Sequence, residues 1–188
     1  PEVEVIRRGL APVLTGRRFL GVKVGTERLR QQSSPAELRR WVPGRRLKGL
    51  RRRGKYLLFD LEGGVTLLIH LGMTGRLLVG PAPSPPLPHV HLVFQLEAGL
   101  ELSFQDTRRF GQVLVFPPGV TPPPLARVGA EPFSRPVTPA WLAEQAESVD
   151  GLPEDSAEQV QTKAESYHSL LAARQYQQRK LEYDPWTA

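Results

Sequence analysis

Eight short β-like runs, closely spaced and separated by turns, restrict what this chain of 188 residues can fold into. They lie near 18–25, 46–52, 55–61, 65–71, 75–79, 90–96, 99–104 and 112–116. Glycine-containing turns at 62–64, 98–99 and 110–111 separate several of them. Many short strands at this spacing are typical of a β-sandwich or barrel. The sequence therefore predicts a mainly β fold.

Two helices are expected to flank the strands. Residues 2–14 form the first, with an apolar stripe made of Val3, Ile6, Leu10 and Leu14. Gly16 follows as a stop signal. The second follows from Ser-Pro-Ala-Glu at 34–37, which predicts a capping box and a helix that continues to about Trp41.

The amino-acid composition of the chain changes after Phe116, where a proline-rich linker begins. We therefore predict a β-domain over residues 1–135 and an acidic, mostly helical extension over residues 136–188. A long polar helical pattern begins near Asp155 and carries only a thin apolar stripe. Residues 155–184 are therefore a candidate surface for a protein partner.

Charge is distributed unevenly along the chain, whose net charge is +6. Residues 1–60 hold 16 basic and 5 acidic residues, whereas residues 131–188 hold 5 basic and 10 acidic ones. A basic lobe of this kind indicates a polyanion as partner. Duplex DNA is the expected polyanion, and RNA is an alternative. A third possibility is that the basic surface serves only solubility and has no polyanion partner.

Several classes of site are not indicated. The chain has no Cys, so disulfides and Cys-based zinc sites are excluded. His89 and His91, two apart on a predicted strand, lack a third ligand, and neither a metal nor another cofactor is expected.

No apolar run approaches a membrane span, and the charged start does not resemble a signal peptide. We expect an intracellular protein of the nucleoid, cytoplasm or an organelle, neither secreted nor membrane-bound.

Two glycine-bounded turns carry the most specific signal. His-Leu-Gly-Met-Thr-Gly-Arg-Leu at 70–77 presents Met73, the single methionine, and Gln-Asp-Thr-Arg-Arg-Phe-Gly at 105–111 presents Arg108, Arg109 and Phe110. A flexible apolar tip, cations and an aromatic ring are suited to enter stacked bases. We expect these turns to converge at one edge of the fold, after strands that share a sheet face. The alternatives are a gap-filling core methionine and a solvated strand end.

Lys55 follows three arginines, Arg51, Arg52 and Arg53, at the start of a predicted strand. Clustered cations gather phosphates and lower the pKa of a lysine, so Lys55 is a candidate phosphate contact and a candidate catalyst. His70 is a candidate nucleic-acid contact, with a hydrogen-bonded core histidine as the alternative.

Pro1 and Glu2 offer a further chemistry if they form a processed N-terminus. An N-terminal proline is a secondary amine that can attack an electrophilic sugar carbon and form an iminium. A neighbouring carboxylate such as that of Glu2 can move the protons.

Together these motifs, in their order and spacing, resemble the N-terminal domain of formamidopyrimidine-DNA glycosylase. The similar segments begin at Pro1, Arg51, Leu67, His89 and Asp106, and Gly-Ala-Glu-Pro-Phe-Ser at 129–134 resembles the end of that domain. The resemblance implies a two-sheet antiparallel β-sandwich and excision of oxidised purines followed by cleavage of the abasic strand. It implies that Lys55 is the catalytic lysine and that Met73, Arg108 and Phe110 fill the space of the flipped base.

The chain also departs from the family's pattern. The family begins Pro-Glu-Leu-Pro-Glu-Val-Glu and uses its first proline as nucleophile, whereas Pro1 and Glu2 match the second Pro-Glu. An offset of three helical residues moves a group by about 4.5 Å. His91 replaces the usual Asp, and no segment resembles the helix–two-turn–helix or the four-cysteine zinc finger of the family. Three hypotheses stay open. The first is a glycosylase and abasic-site lyase. The second is an inactive descendant that binds nucleic acid within a larger assembly such as a ribonucleoprotein, and the third is a plain protein-interaction module.

The charge distribution generates the first prediction. Binding to duplex DNA through the basic residues of 1–60 should weaken steeply with salt, because each neutralised phosphate adds about 0.9 to the log–log slope. Affinity measured across a salt series checks this, and a flat response would contradict it.

Overall fold

A computed structural model describes residues 2–82, 87–126, 128–129, 131, 138 and 140–141. Three α-helices and nine strands lie in these ranges. The helices are α1 (Glu2–Leu14), α2 (Pro35–Trp41) and α3 (Pro123–Ala126). The strands are β1 (Phe19–Val24), β2 (Gln31–Gln32), β3 (Leu47–Arg53), β4 (Tyr56–Leu61), β5 (Val65–His70), β6 (Arg76–Pro81), β7 (Val90–Leu96), β8 (Leu100–Gln105) and β9 (Gln112–Phe116).

The strands form two sheets. One has the order β1-β7-β8-β6 and the other the order β2-β9-β5-β4-β3. All neighbouring strands are antiparallel except β2, which pairs in parallel with β9. The predicted antiparallel two-sheet sandwich with flanking helices is confirmed. Strand β2 was not predicted, because two glutamines show no apolar alternation.

The core lies between the sheets and continues under α1. Phe19, Phe59, Phe94 and Phe104 are fully buried there, and the rings of Phe19 and Phe94 meet edge to face with centroids 5.8 Å apart. The predicted stripe of α1 packs on this core, with Leu10 and Leu14 buried. The core thus fixes α1 against the sheet.

The register places several loops at one end of the sandwich. Tyr56 pairs with His70, His70 pairs with Gln112, and Gln112 pairs with Gln31. The residues just beyond this row therefore lie at the same end of the five-stranded sheet. They are Lys55, the turn 71–75, the turn 106–111 and Arg30. We call this the Lys55 end.

The first compact unit of the chain, Pro1–Gly129, contains both sheets. The predicted division at residue 135 and the helical nature of 136–188 stay predictions, since residues 142–188, including the expected partner surface at 155–184, lie outside the described residues. In the described part of the chain, none of the helices is long and apolar enough to cross a membrane.

The capping box of α2 generates a stability prediction. Ser34 Oγ accepts a hydrogen bond from the Glu37 backbone N–H at 3.2 Å, and the Glu37 carboxylate accepts from the Ser34 N–H at 2.8 Å. Ser34→Ala should lower the free energy of unfolding by about 1 kcal/mol, because an N-terminal amide of the helix loses its acceptor. Urea denaturation checks this, with the exposed Thr15→Ala as control. Equal stability of Ser34→Ala and the wild type would contradict it.

Candidate nucleic-acid interface

The two motif turns are crossovers between the sheets. Residues 71–75, the Met73 turn, connect β5 of the five-stranded sheet to β6 of the four-stranded sheet. Residues 106–111, the Phe110 turn, connect β8 back to β9. The expectation that both turns follow strands of a shared sheet face is therefore wrong. Convergence does not need it, because both crossovers lie at the Lys55 end.

The backbones of the two turns touch. Gly72 has a φ of +62°, and a Cβ at this position would lie 2.7 Å from the backbone carbon of Phe110. Only glycine fits so close an approach in the left-handed region. Gly75 closes the same turn by donating to the Leu71 carbonyl at 2.8 Å. The predicted convergence of the two turns is confirmed.

Side-chain hydrogen bonds also connect the turns. The Thr74 hydroxyl bonds to Oδ1 of Asp106 and accepts from the Arg108 backbone N–H at 3.2 Å. Oδ2 of Asp106 accepts from the Gly111 N–H at 2.8 Å. Met73 and Phe110 are thus held on neighbouring, bonded backbones.

The connected turns expose an apolar and aromatic tip. Met73 is 70% exposed and Phe110 is 42% exposed, although both are large apolar side chains. The Arg108 guanidinium lies 4.8 Å from the centroid of the Phe110 ring, a cation–π geometry. Met73 also borders an open cleft of about 320 Å³ lined by Thr74, Gly75, Arg76, Gln105 and Thr107. The structure thus places Met73 at the surface and not in the core.

Arg109 has a left-handed backbone, with a φ of +58°. Its carbonyl accepts from the Arg30 N–H at 2.8 Å, and its guanidinium lies 3.9 Å from the Glu27 carboxylate. This exposed ion pair contributes little to stability. Arg109 therefore connects the Phe110 turn to the segment that precedes β2.

Lys55 was predicted at the start of a strand, but it occupies the hairpin turn between β3 and β4, one residue before β4 begins, and its side chain is exposed. His70 is half-buried next to it in the register, and its Nδ1 accepts from the Gly72 N–H at 3.0 Å. Burial lowers the pKa of His70 below its usual value, and the positive charges of Lys55 and Arg30 lower it further. The imidazole is therefore neutral at pH 7. Its contribution to folding stability is lost as pH falls through the lowered pKa.

The three arginines before Lys55 have protein partners. Arg51 forms a bidentate pair with Asp60, at 2.5 Å and 2.7 Å. Arg52 donates to the Gly54 carbonyl at 2.8 Å, and Arg53 donates to the Gly129 carbonyl at 2.7 Å. Their role as phosphate contacts stays a prediction.

The N-terminus of α1 also points toward the Lys55 end. Nε of Arg52, one residue before the end of β3, lies 3.4 Å from the Glu4 carboxylate. Hydrogen bonding from Arg7 is the main cause that lowers the pKa of Glu4 to about 2, despite the opposing effect of burial. Glu2 is the exposed first residue of α1, and Pro1 lies outside the described residues.

The expectation that His89 and His91 lie on one strand is wrong. His89 precedes β7 and has a φ of +59°, so it belongs to a turn. His91 is buried, and its Nε2 donates to the Asp106 carbonyl at 2.7 Å. Among the described residues, no group of three His, Asp or Glu could hold a metal ion.

Sequence reasoning missed three residues of this site, namely Arg30, Thr74 and Asp106. Arg30 lies far from the motifs in the sequence, and only the general excess of basic residues pointed to it. Thr74 and Asp106 belong to the quoted motifs, but their contact depends on the crossing of two sheets. An acidic residue directly after a strand that leads into a functional turn was the available signal.

Comparison with known proteins places these features in a family. Residues 1–113 match the sequence model of the formamidopyrimidine-DNA glycosylase N-terminal domain. Curated formamidopyrimidine-DNA glycosylases from Aromatoleum aromaticum and Cereibacter sphaeroides are 45% and 42% identical, over 79% and 76% of this chain. Each alignment covers 54% of the relative. The chain thus spans about half the length of the relatives that it matches.

Solved structures agree with the sequence comparison. The crystal structure of Lactococcus lactis formamido-pyrimidine DNA glycosylase, non-covalently bound to DNA containing an AP site, is 29% identical with a TM-score of 0.57. The match covers 62% of this chain and 44% of that one. A complex of the same bacterial protein with FAPY-dG-containing DNA has the same TM-score and identity.

The proximity of Lys55 to His70 generates a titration prediction. Lys55→Met should raise the pKa of His70 toward its ordinary value, because one nearby positive charge is removed. Lys48→Met should leave it unchanged, since Lys48 pairs with Glu62 elsewhere in the protein. Histidine NMR titration measures both, and equal His70 pKa values in the two variants would contradict the placement of Lys55.

Proposed function

The chain belongs to the formamidopyrimidine-DNA glycosylase family, and we propose that the Lys55 end of its sandwich binds duplex DNA at an oxidised purine. One observation carries the proposal: Met73, Arg108 and Phe110 lie on two hydrogen-bonded turns, with Met73 and Phe110 exposed. A flipped nucleotide leaves a gap that must be filled for the duplex to stay open. An apolar tip and an aromatic ring can occupy that gap, and a guanidinium can bond the unpaired base opposite.

Positive charge at the same end supports contact with the DNA backbone. Lys55, Arg30 and Arg109 lie around the two turns, and Lys55 and Arg30 are exposed. These cations would neutralise phosphates beside the opened base pair. A half-buried, neutral His70 next to Lys55 can donate a hydrogen bond to a phosphate without adding charge.

The proposed reaction is excision of the oxidised purine, followed by cleavage of the abasic strand. A proline secondary amine attacks C1′, the glycosidic bond breaks, and the base leaves with the bonding electrons and a proton. The C1′–O4′ bond then opens, O4′ takes a proton, and an iminium forms between C1′ and the proline nitrogen. Loss of a C2′ proton expels the 3′ phosphate, and water hydrolyses the iminium.

The roles proposed for individual residues follow from this reaction. Pro1 or a proline before it supplies the amine, and the Glu2 carboxylate moves protons at the sugar. Lys55 would approach the substrate from the hairpin turn at the same end. Activity on DNA would place the chain in a compartment that holds DNA.

The alternative, an inactive component of a ribonucleoprotein, has less support. The relatives named above are called glycosylases, and the solved neighbours were crystallised with damaged DNA. No contact among the described residues favours RNA over DNA.

Borohydride trapping tests the reaction, because only an iminium is reduced to a stable adduct. Two matched proteins would be mixed with an abasic-site duplex: one that begins at Pro1, and one with Pro-Glu-Leu added before it. We expect an adduct with the extended protein alone, since three helical residues move an amine by about 4.5 Å and catalysis tolerates about 1 Å. In the extended protein, Lys55→Ala should slow trapping, and Lys48→Ala should not.

The control is binding of both proteins to the same duplex. Equal trapping by both proteins would show that the Pro1 amine is as reactive at the N-terminus as that of a proline placed three residues earlier, and would contradict the expected offset. Binding without trapping by either protein would contradict the glycosylase and lyase proposal and favour the inactive descendant.

A further inference from the structure

Asp106 is the first residue of the Phe110 turn, and its fully buried carboxylate bonds both to this turn and to the Met73 turn. Its side chain does not reach the surface, so it takes no part in the DNA contacts proposed above. A buried carboxylate is costly unless hydrogen bonds satisfy it. Its partners therefore indicate what this residue is for.

Three donors from two turns converge on the Asp106 carboxylate. Oδ1 accepts from the Thr74 hydroxyl and from the Arg108 N–H, the latter at 3.2 Å. Oδ2 accepts from the Gly111 N–H at 2.8 Å. Each oxygen thus faces at least one backbone N–H. An asparagine would always direct its NH₂ group at one of them, so the site requires a carboxylate.

The backbone of Asp106 is held from a third direction. Its carbonyl accepts from Nε2 of the buried His91 at 2.7 Å, and Nδ1 of that histidine lies 3.3 Å from the Glu27 carbonyl. The Asp106 N–H donates to the His89 carbonyl at 3.0 Å. Asp106 is therefore fixed against the end of β8 and the start of β7, while its carboxylate reaches the two exposed turns.

We propose that Asp106, acting through Thr74, is a positioning residue that sets the distance between Met73 and Phe110. The two side chains belong to separate crossovers, and a gap in stacked bases admits them together only if their spacing is fixed. The hydrogen bond between the side chains of Thr74 and Asp106 joins the Met73 turn to the Phe110 turn. We call the hydrogen-bonded pair of Thr74 and Asp106 the clamp. The inference rests on the proposed function, because it assigns to the clamp the preference for a duplex with a missing base.

Thr74 offers the cleaner test, because it lies in a partly exposed turn and its replacement leaves the core intact. Thr74→Val keeps the shape and removes the hydroxyl, whereas Thr74→Ser keeps the hydroxyl. The full chain would be titrated with an undamaged duplex and with the same duplex carrying a tetrahydrofuran abasic-site analogue. The readout is the dissociation constant for the undamaged duplex divided by the dissociation constant for the abasic duplex, which measures the preference for the missing base.

Thr74→Val should reduce this ratio by about tenfold, the effect of one lost buried hydrogen bond on an equilibrium constant. Affinity for the undamaged duplex should stay within about twofold, because it depends on phosphate contacts that do not involve Thr74. Thr74→Ser should restore the ratio. Asp106→Asn should reduce it further, and Ser103→Ala, at a buried position of the preceding strand β8, should not. A merely structural role would weaken binding to both duplexes equally, which would overturn the proposal.

Amide hydrogen exchange without DNA tests the hydrogen bonds of the clamp independently of the proposed DNA binding. In the wild type the Gly111 and Arg108 amides should be protected, and Thr74→Val should speed exchange at the Arg108 amide, because that amide loses one of its two acceptors. A wild-type chain without preference for the abasic duplex would contradict the proposed function, and the exchange data would then test the clamp alone. Unchanged protection in Thr74→Val, or an unchanged ratio beside a wild-type preference, would overturn the proposal.

Discussion

The hydrogen bonds of one buried carboxylate organise the Lys55 end of this protein. Asp106 accepts from Thr74 on one crossover and from Gly111 on the other, so two loops that leave different sheets become one surface. The bonds offset the cost of burying the acid. Because each oxygen faces a backbone N–H, the loops have few other arrangements that satisfy it. Met73 and Phe110 can therefore be exposed and still be well positioned.

The electrostatics of this end fit a phosphate-rich partner. Lys55 and Arg30 are both close enough to His70 to lower its pKa, so cations from separate loops lie around one neutral imidazole. Arg51, by contrast, pairs with Asp60, which offsets part of the basic charge of β3. The cations at the Lys55 end therefore say more about where a polyanion would bind than the net charge of residues 1–60 does.

Local patterns were sufficient to predict most of the fold. The apolar stripe of α1 and the capping box at Ser34 depend on neighbours within a few residues, and both were predicted correctly. Strand β2 depends on pairing with β9, and nothing in Gln31–Gln32 indicates it. His89 was misplaced on a strand, because its φ of +59° is imposed by a turn and not by its residue type.

The site was predicted in part, for a similar reason. Met73, Arg108 and Phe110 belong to motifs with recognisable turns, so their types and positions suggested a shared role. The sheet assignment of their strands was wrong, because alternation within a strand does not reveal which sheet it joins. Asp106 and Thr74 were missed, since their contact spans 32 positions and exists only after the sheets have packed.

Chemical-shift mapping tests the central claim most directly. The backbone amides of the chain would be followed by NMR during titration with a tetrahydrofuran-containing duplex. The account predicts shifts at residues 30, 55, 71–75 and 106–111, all at the Lys55 end, and none at the opposite end near Gly16, Gly44 and Gly63. Shifts centred on that opposite end, or spread evenly over the surface, would contradict it.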